Sequence, residues 1–93
     1  MRVIGFYWTL PVPWAGFTTL PKSVDEAAKA SRSILYQRER VRRWAKDEGG
    51  QVLHEDAFME TKADRGTSAI LPEIDRLLAR AEALDATLAL VNF

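Results

Sequence analysis

The chain has no cysteine and only one histidine among its 93 residues. A disulfide framework and a thiolate metal site are therefore excluded, and a single imidazole is too little for a zinc centre. Net charge is missing too: thirteen Lys and Arg balance thirteen Asp and Glu. That balance argues against a protein held to nucleic acid mainly through phosphates. No apolar run approaches the ~18 residues needed to cross a bilayer, and the amino terminus lacks the charged and apolar regions of a signal peptide. Neither a Gly-x-Gly-x-x-Gly nor a Walker sequence supplies a phosphate cradle. Internal repeats and low-complexity segments are also missing. Together these absences predict a cytoplasmic protein with no membrane association and no cofactor.

What is present reads as one small α/β domain over residues 1–93. A chain of this length buries only about 60 to 65% of its unfolded surface, so marginal stability is expected unless a partner covers more. Arg2 to Leu10 is a continuous apolar run without alternation, the pattern of a central strand buried on both faces of a parallel sheet. Pro11-Val12-Pro13 ends it, and residues 11–22 form an irregular loop carrying Trp14 and Phe17. Ser23-Val24-Asp25-Glu26 is a capping box. The helix it opens is expected to run as one piece to Glu48, with a kink near Ser31 to Ser33.

Within that helix Ile34, Leu35, Val41, Trp44 and Ala45 form the core stripe, and Arg38, Arg40, Arg42 and Arg43 lie largely off it. Gly49-Gly50 stops the helix, and Gln51 to Phe58 is a second strand. A polar loop from Glu60 to Ser68 leads to a second helix with Pro72 and Glu73 in its first turn. Ile74, Leu77, Leu78, Ala81 and Leu84 give that helix its packing face, and Thr87 to Phe93 is a third strand. The plan is β-α-β-α-β, and right-handed crossovers allow strands two and three to flank strand one or to lie side by side.

Three pieces of this pattern resemble the catalytic domain of the serine recombinases, the resolvase/invertase family. In that family a strand ending Tyr-Ala-Arg-Val-Ser precedes a helix opening Ser-x-x-x-Gln-Arg, and a second strand runs into Asp with Arg nine positions on. Here Gly5-Phe6-Tyr7 stands at the first place, Ser33-x-x-x-Gln37-Arg38 at the second, and Asp56 and Arg65 at the third. The resemblance spans most of the chain and implies the strand order 2-1-3. Its departures decide the chemistry. The family's catalytic arginine aligns with Thr9 and its nucleophilic serine with Pro11, which cannot attack a phosphodiester. The Asp-Arg-x-x-Arg segment that follows the family's third strand has no counterpart before Phe93. A non-enzymatic, degenerate and truncated relative is expected, acting through protein contacts or self-association, or surviving as a remnant in a mobile element.

Candidate sites follow. The strand-end crevice of a parallel sheet, lined by Thr9, Leu10, Asp56, Arg65 and Asn92, is the place for a phosphate or nucleotide-like ligand if the domain is a ligand binder. An Asp–Arg pair is equally the mark of a plain ion pair. Arg38, Arg42 and Arg43 are the nucleic-acid candidates, but interleaved acids make a solvated face the simpler reading and DNA binding weak or absent. His54, mid-strand beside Val52, reads as structural. Ala27, Ala28, Ala30 and Ser31 form a small-residue face for a two-fold dimer, extended by Trp14 or Phe17. An active nuclease would need Thr9, Thr18 or Ser33 as nucleophile.

Overall fold

A computed structural model describes residues 1–59 and 70–91. Three parallel strands, β1 (Arg2–Thr9), β2 (Gln51–Met59) and β3 (Thr87–Ala89), lie in the order β2-β1-β3. The apolar run thus forms the central strand of a small parallel α/β sheet, as expected. One face of β1 packs Val3 and Tyr7 against Ala27, Ala28, Ile34, Val41 and Ala45; the other packs Ile4 and Phe6 against Leu77 and Ala81. Side chains alternating across one strand therefore serve two cores, one under each layer of helices.

The long helix is two helices. α1 (Val24–Ala30) and α2 (Arg32–Asp47) meet at Ser31, whose backbone is extended (φ −136°, ψ 119°). Ser31 closes one helix and opens the next: its N–H donates to the Ala27 carbonyl, and its hydroxyl accepts from the Ile34 N–H at 3.2 Å. A serine whose side chain competes for backbone amides favours such a break over continued helix.

The stripe of α2 is also shifted. Ile34, Gln37, Val41 and Ala45 are buried, while Leu35 and Trp44 remain 40% exposed. Spacings of three, four and four place a polar residue, Gln37, where an apolar one was expected, and leave Leu35 and Trp44 on its flanks. Left-handed Gly49 (φ 70°) follows the helix. In α3 (Ile70–Ala83) Leu77 and Ala81 are buried, whereas Leu78 is exposed, as is Leu84 just beyond the helix.

A register shift between Val3 and Ile4 puts an extra residue, Leu53, into β2. Val52 and Ala57 consequently share the α2 side of the sheet, although an odd step separates them. His54 stands opposite Ile4 and does not share the face of Val52. β3 is shorter than expected, since pairing ends at Ala89 opposite Gly5. The loop after β1 is irregular apart from a 3₁₀ turn at Pro13–Ala15, closed by reciprocal bonds between Val12 and Phe17 (2.7 and 3.1 Å). No helix among the described residues is long and apolar enough to cross a membrane.

Candidate functional site

The polar centre of the molecule is built around Tyr7. A tyrosine in a strand buried on both faces needs a partner for its hydroxyl. The Tyr7 ring folds back over Gly5, the residue two positions earlier on the same face, and its Oη donates to Glu55 Oε2 at 2.6 Å. Glu55 is the β2 residue in register with Gly5. The missing side chain at position 5 is thus the opening through which Tyr7 reaches the neighbouring strand.

Two arginines of α2 meet the same carboxylate from above. Arg42 donates from Nε to Glu55 Oε2 at 2.9 Å and from Nη2 to Oε1 at 2.6 Å, a bidentate pair. Arg38, one turn earlier, donates to Asp25 of α1 and places its Nε 3.9 Å from Glu55 Oε2. That Nε is buried and has no hydrogen-bond partner. Burial opposes ionisation of Glu55, but hydrogen bonds from Arg42 and Tyr7 outweigh it and hold the carboxyl below its ordinary value. Burial, then the bond to Glu55, pushes the Tyr7 phenol well above its own. The Glu55 bond raises Arg42 in turn. The network is therefore fixed at neutral pH as the Tyr7 phenol, the Glu55 carboxylate and the Arg42 guanidinium. A groove of about 380 Å³ opens beside it, lined by Asp25, Arg38, Arg42, His54 and Glu55 among others.

Gln37 forms a second polar device at the end of β1. Its Oε1 accepts from the Trp8 N–H at 3.0 Å, and its Nε2 donates to the Trp8 carbonyl at 2.7 Å. In a parallel ladder one residue's N–H and C=O point to the same side, and β3 pairs with β1 only as far as Gly5. The Gln37 amide supplies the donor and acceptor that a longer β3 would have offered to Trp8. Nε2 also lies 3.1 Å from both the carbonyl and the Oγ of Ser33, so the Ser33-x-x-x-Gln37 spacing is one helical turn joined internally and anchored to the sheet.

The strand-end crevice is not assembled as expected. Thr9 stands opposite Met59, whereas Asp56 stands opposite Phe6, three positions away along the sheet. Odd and even positions of β1 face opposite helices, so Thr9 lies on the α2 side and Asp56 on the α3 side. Asp56 is engaged by Arg76 of α3, Nη2 to Oδ2 at 2.6 Å, and Arg76 also reaches Glu73 at 2.9 Å. The bonds to Glu73 and Asp56 raise the Arg76 guanidinium above its ordinary value. Arg65 and Asn92 lie outside the described residues.

The other candidates separate. Arg38 and Arg42 face the network, while Arg43 is exposed on the outer side of α2. Ala27, Ala28 and Ser31 are not a free face for a second copy: they are 0, 5 and 7% exposed because α1 packs them into its own core. Ala30 is exposed. Trp14 is 89% exposed on its turn, and Phe17 is half-buried. Among the described residues no group of three His, Cys, Asp or Glu side chains is placed to hold a metal ion.

Sequence reasoning missed the Tyr7–Glu55–Arg42 network with Arg38 and Asp25, the Gln37 clamp on Trp8, and the Arg76–Asp56 pair on the other face. A usable signal was present in Gly5-x-Tyr7, a glycine and a phenol on one face of a buried strand. Comparisons with protein-family models, curated proteins and solved structures return no match to this chain.

Proposed function

We propose that this chain is a non-catalytic relative of the serine-recombinase catalytic domain and works through protein contacts, self-association foremost, in a cytoplasmic setting. The observation that carries the reading is the engagement of Arg38, Arg42 and Arg76 by the chain's own carboxylates. Guanidinium groups that would clamp a phosphate in a phosphoryl-transfer site act here as internal struts. Pro11 at the nucleophile position of the resemblance supports the same view, as does the helix opening Ser33-x-x-x-Gln37-Arg38 with Gln37 tying α2 to the central strand.

Incubation with supercoiled plasmid tests the non-catalytic part. The expected result is no nicked product and no covalent protein–DNA species; an adduct mapped to a serine or threonine overturns it. A small-ligand reading is favoured by one observation, the unbonded Arg38 Nε beside the groove. Thermal-shift screening with inorganic phosphate and nucleotides separates it, because the protein-contact reading expects no stabilisation.

A further inference from the structure

α1 is weakly secured to the rest of the chain. Seven residues are fewer than the roughly 12–15 that a helix needs to persist alone in water, so Val24–Ala30 is helical only while it is docked. The apolar surface that docks it is small: Ala27 and Ala28 are its buried side chains, with Val24 half-buried beside them. Lys29 pairs with Glu26 inside α1, which leaves Arg38–Asp25 as the ion pair that ties α1 to the body among the described residues. The Asp25 side chain is 71% exposed, and an ion pair open to water holds weakly. The extended backbone of Ser31 separates α1 from α2, so the two helices meet at a joint. On the other flank the groove of about 380 Å³ has Ser23, Val24 and Asp25 along one side and Val52 to Glu55 along the other.

Arg38 has a second acceptor within reach. Its buried Nε, which has no hydrogen-bond partner, lies 3.9 Å from Glu55 Oε2. An N–H···O bond forms at about 2.9 Å, so a shift of about 1 Å completes it. Glu55 has room to accept: among the described residues it takes one bond from Tyr7 and two from Arg42, and a carboxylate offers about four sites. A buried N–H left without a partner needs a cause. Here the cause is Asp25, which holds the other end of the same guanidinium. We infer that Arg38 is a clasp with two alternative acceptors, Asp25 when α1 is docked and Glu55 when α1 lifts. α1 then opens as a unit about the Ser31 joint while the sheet and α2 stay folded. Opening is eased because the freed guanidinium exchanges one carboxylate for another, and Tyr7 and Arg42 keep the second carboxylate in place. The clasp goes beyond the protein-contact reading and does not depend on it.

Native-state hydrogen exchange of the whole chain, together with the Arg38 Nε–H resonance, tests the clasp. The Ala27 and Ser31 amides, which donate to the Ser23 and Ala27 carbonyls, report on α1, and the amides of the β1–β2 ladder report on the body. The α1 amides should exchange at least about a hundredfold faster than the ladder. Asp25→Asn, a change at an exposed side chain, should speed them about threefold more and leave the ladder protected. In that variant the Arg38 Nε–H should move downfield and exchange more slowly, because it has taken Glu55; simple loss of an ion pair would leave the resonance where it was. Urea midpoints give a second reading. Asp25→Asn and Glu55→Gln remove the two acceptors of one guanidinium, so the double variant should lose more than the sum of the singles. Ladder-like protection of Ala27 and Ser31 overturns the inference, as does an unmoved Nε–H in Asp25→Asn or a strictly additive double variant.

Discussion

At position 5 a Cβ would lie 2.4 Å from the Tyr7 phenolic oxygen and 2.8 Å from Cζ. Gly5→Ala therefore forces the ring away from Glu55, and overpacking of this kind costs about 2 kcal/mol. Tyr7→Phe removes a hydrogen bond to a charged acceptor, worth about 1.5–3 kcal/mol. The two changes act on one contact, so the double variant should lose less than the sum of the singles. Urea unfolding of the four proteins measures this, and strict additivity would mean that Gly5 serves some other purpose. Glu55 gives a pH signature. Its folded pKa lies below the ordinary carboxylate value, so its contribution is fully present above that value and is lost as pH falls through the folded one. Tyr7 is shifted the other way, so its contribution is present below the ordinary phenol value and is lost as pH rises beyond it. Stability should therefore fall on both the acid and the alkaline side, and Glu55→Gln should flatten the acid limb in urea midpoints taken across pH. Little of this was legible in the sequence. A glutamate two residues after a strand bulge is indistinguishable from a surface residue until the bulge at Leu53 is known.

Elements were easier to read than contacts, and the misreadings have local causes. The apolar run made β1 central because a strand covered on both faces has no polar alternation to keep. The capping box, Gly49-Gly50 and Pro72 marked where helices begin and end. The sequence places a kink near Ser31 to Ser33, and the Ser31 hydroxyl, close enough to the Ile34 amide to start a new helix, turns that kink into a full break. Ser31→Ala should cost about 1 kcal/mol and lower helix content in the circular dichroism spectrum. Gln37 defeated the stripe reading because periodicity counts apolar residues, and this buried position is filled by an amide acting as a substitute strand. Gln37→Leu removes both hydrogen bonds between the side-chain amide and the Trp8 backbone, each worth about 0.5–1.5 kcal/mol. The expected sign is faster hydrogen exchange at the Trp8 amide, with the β1–β2 ladder still protected. Unchanged exchange at Trp8 would show that the side-chain amide is not completing the ladder.

At the scale of the molecule, Arg38, Arg42 and Arg76 are paired with the chain's own carboxylates, and Trp14, Trp44 and Leu90 are exposed among the described residues. Arg38 and Arg42 are tied to acids, and Arg43 alone of the nucleic-acid candidates remains free of the network, so duplex DNA should bind weakly and with a steep loss in salt. Gel shifts at physiological salt check this; sub-micromolar affinity abolished by Arg42→Glu and Arg43→Glu would restore a nucleic-acid role. The sequence forecast self-association from size and apolar content, but it placed the interface on Ala27, Ala28, Ala30 and Ser31, extended by Trp14 or Phe17, since small residues on a helix look alike whether they meet a partner or the chain's own sheet. The structure shows Ala27, Ala28 and Ser31 of that face buried and leaves Trp14, Trp44 and Leu90 outside. Sedimentation equilibrium of the unmodified chain across the micromolar range is the most direct measurement of the account. It should return a mass near twice 10.5 kDa, dissociating on dilution; a single species of 10.5 kDa at every concentration would contradict it.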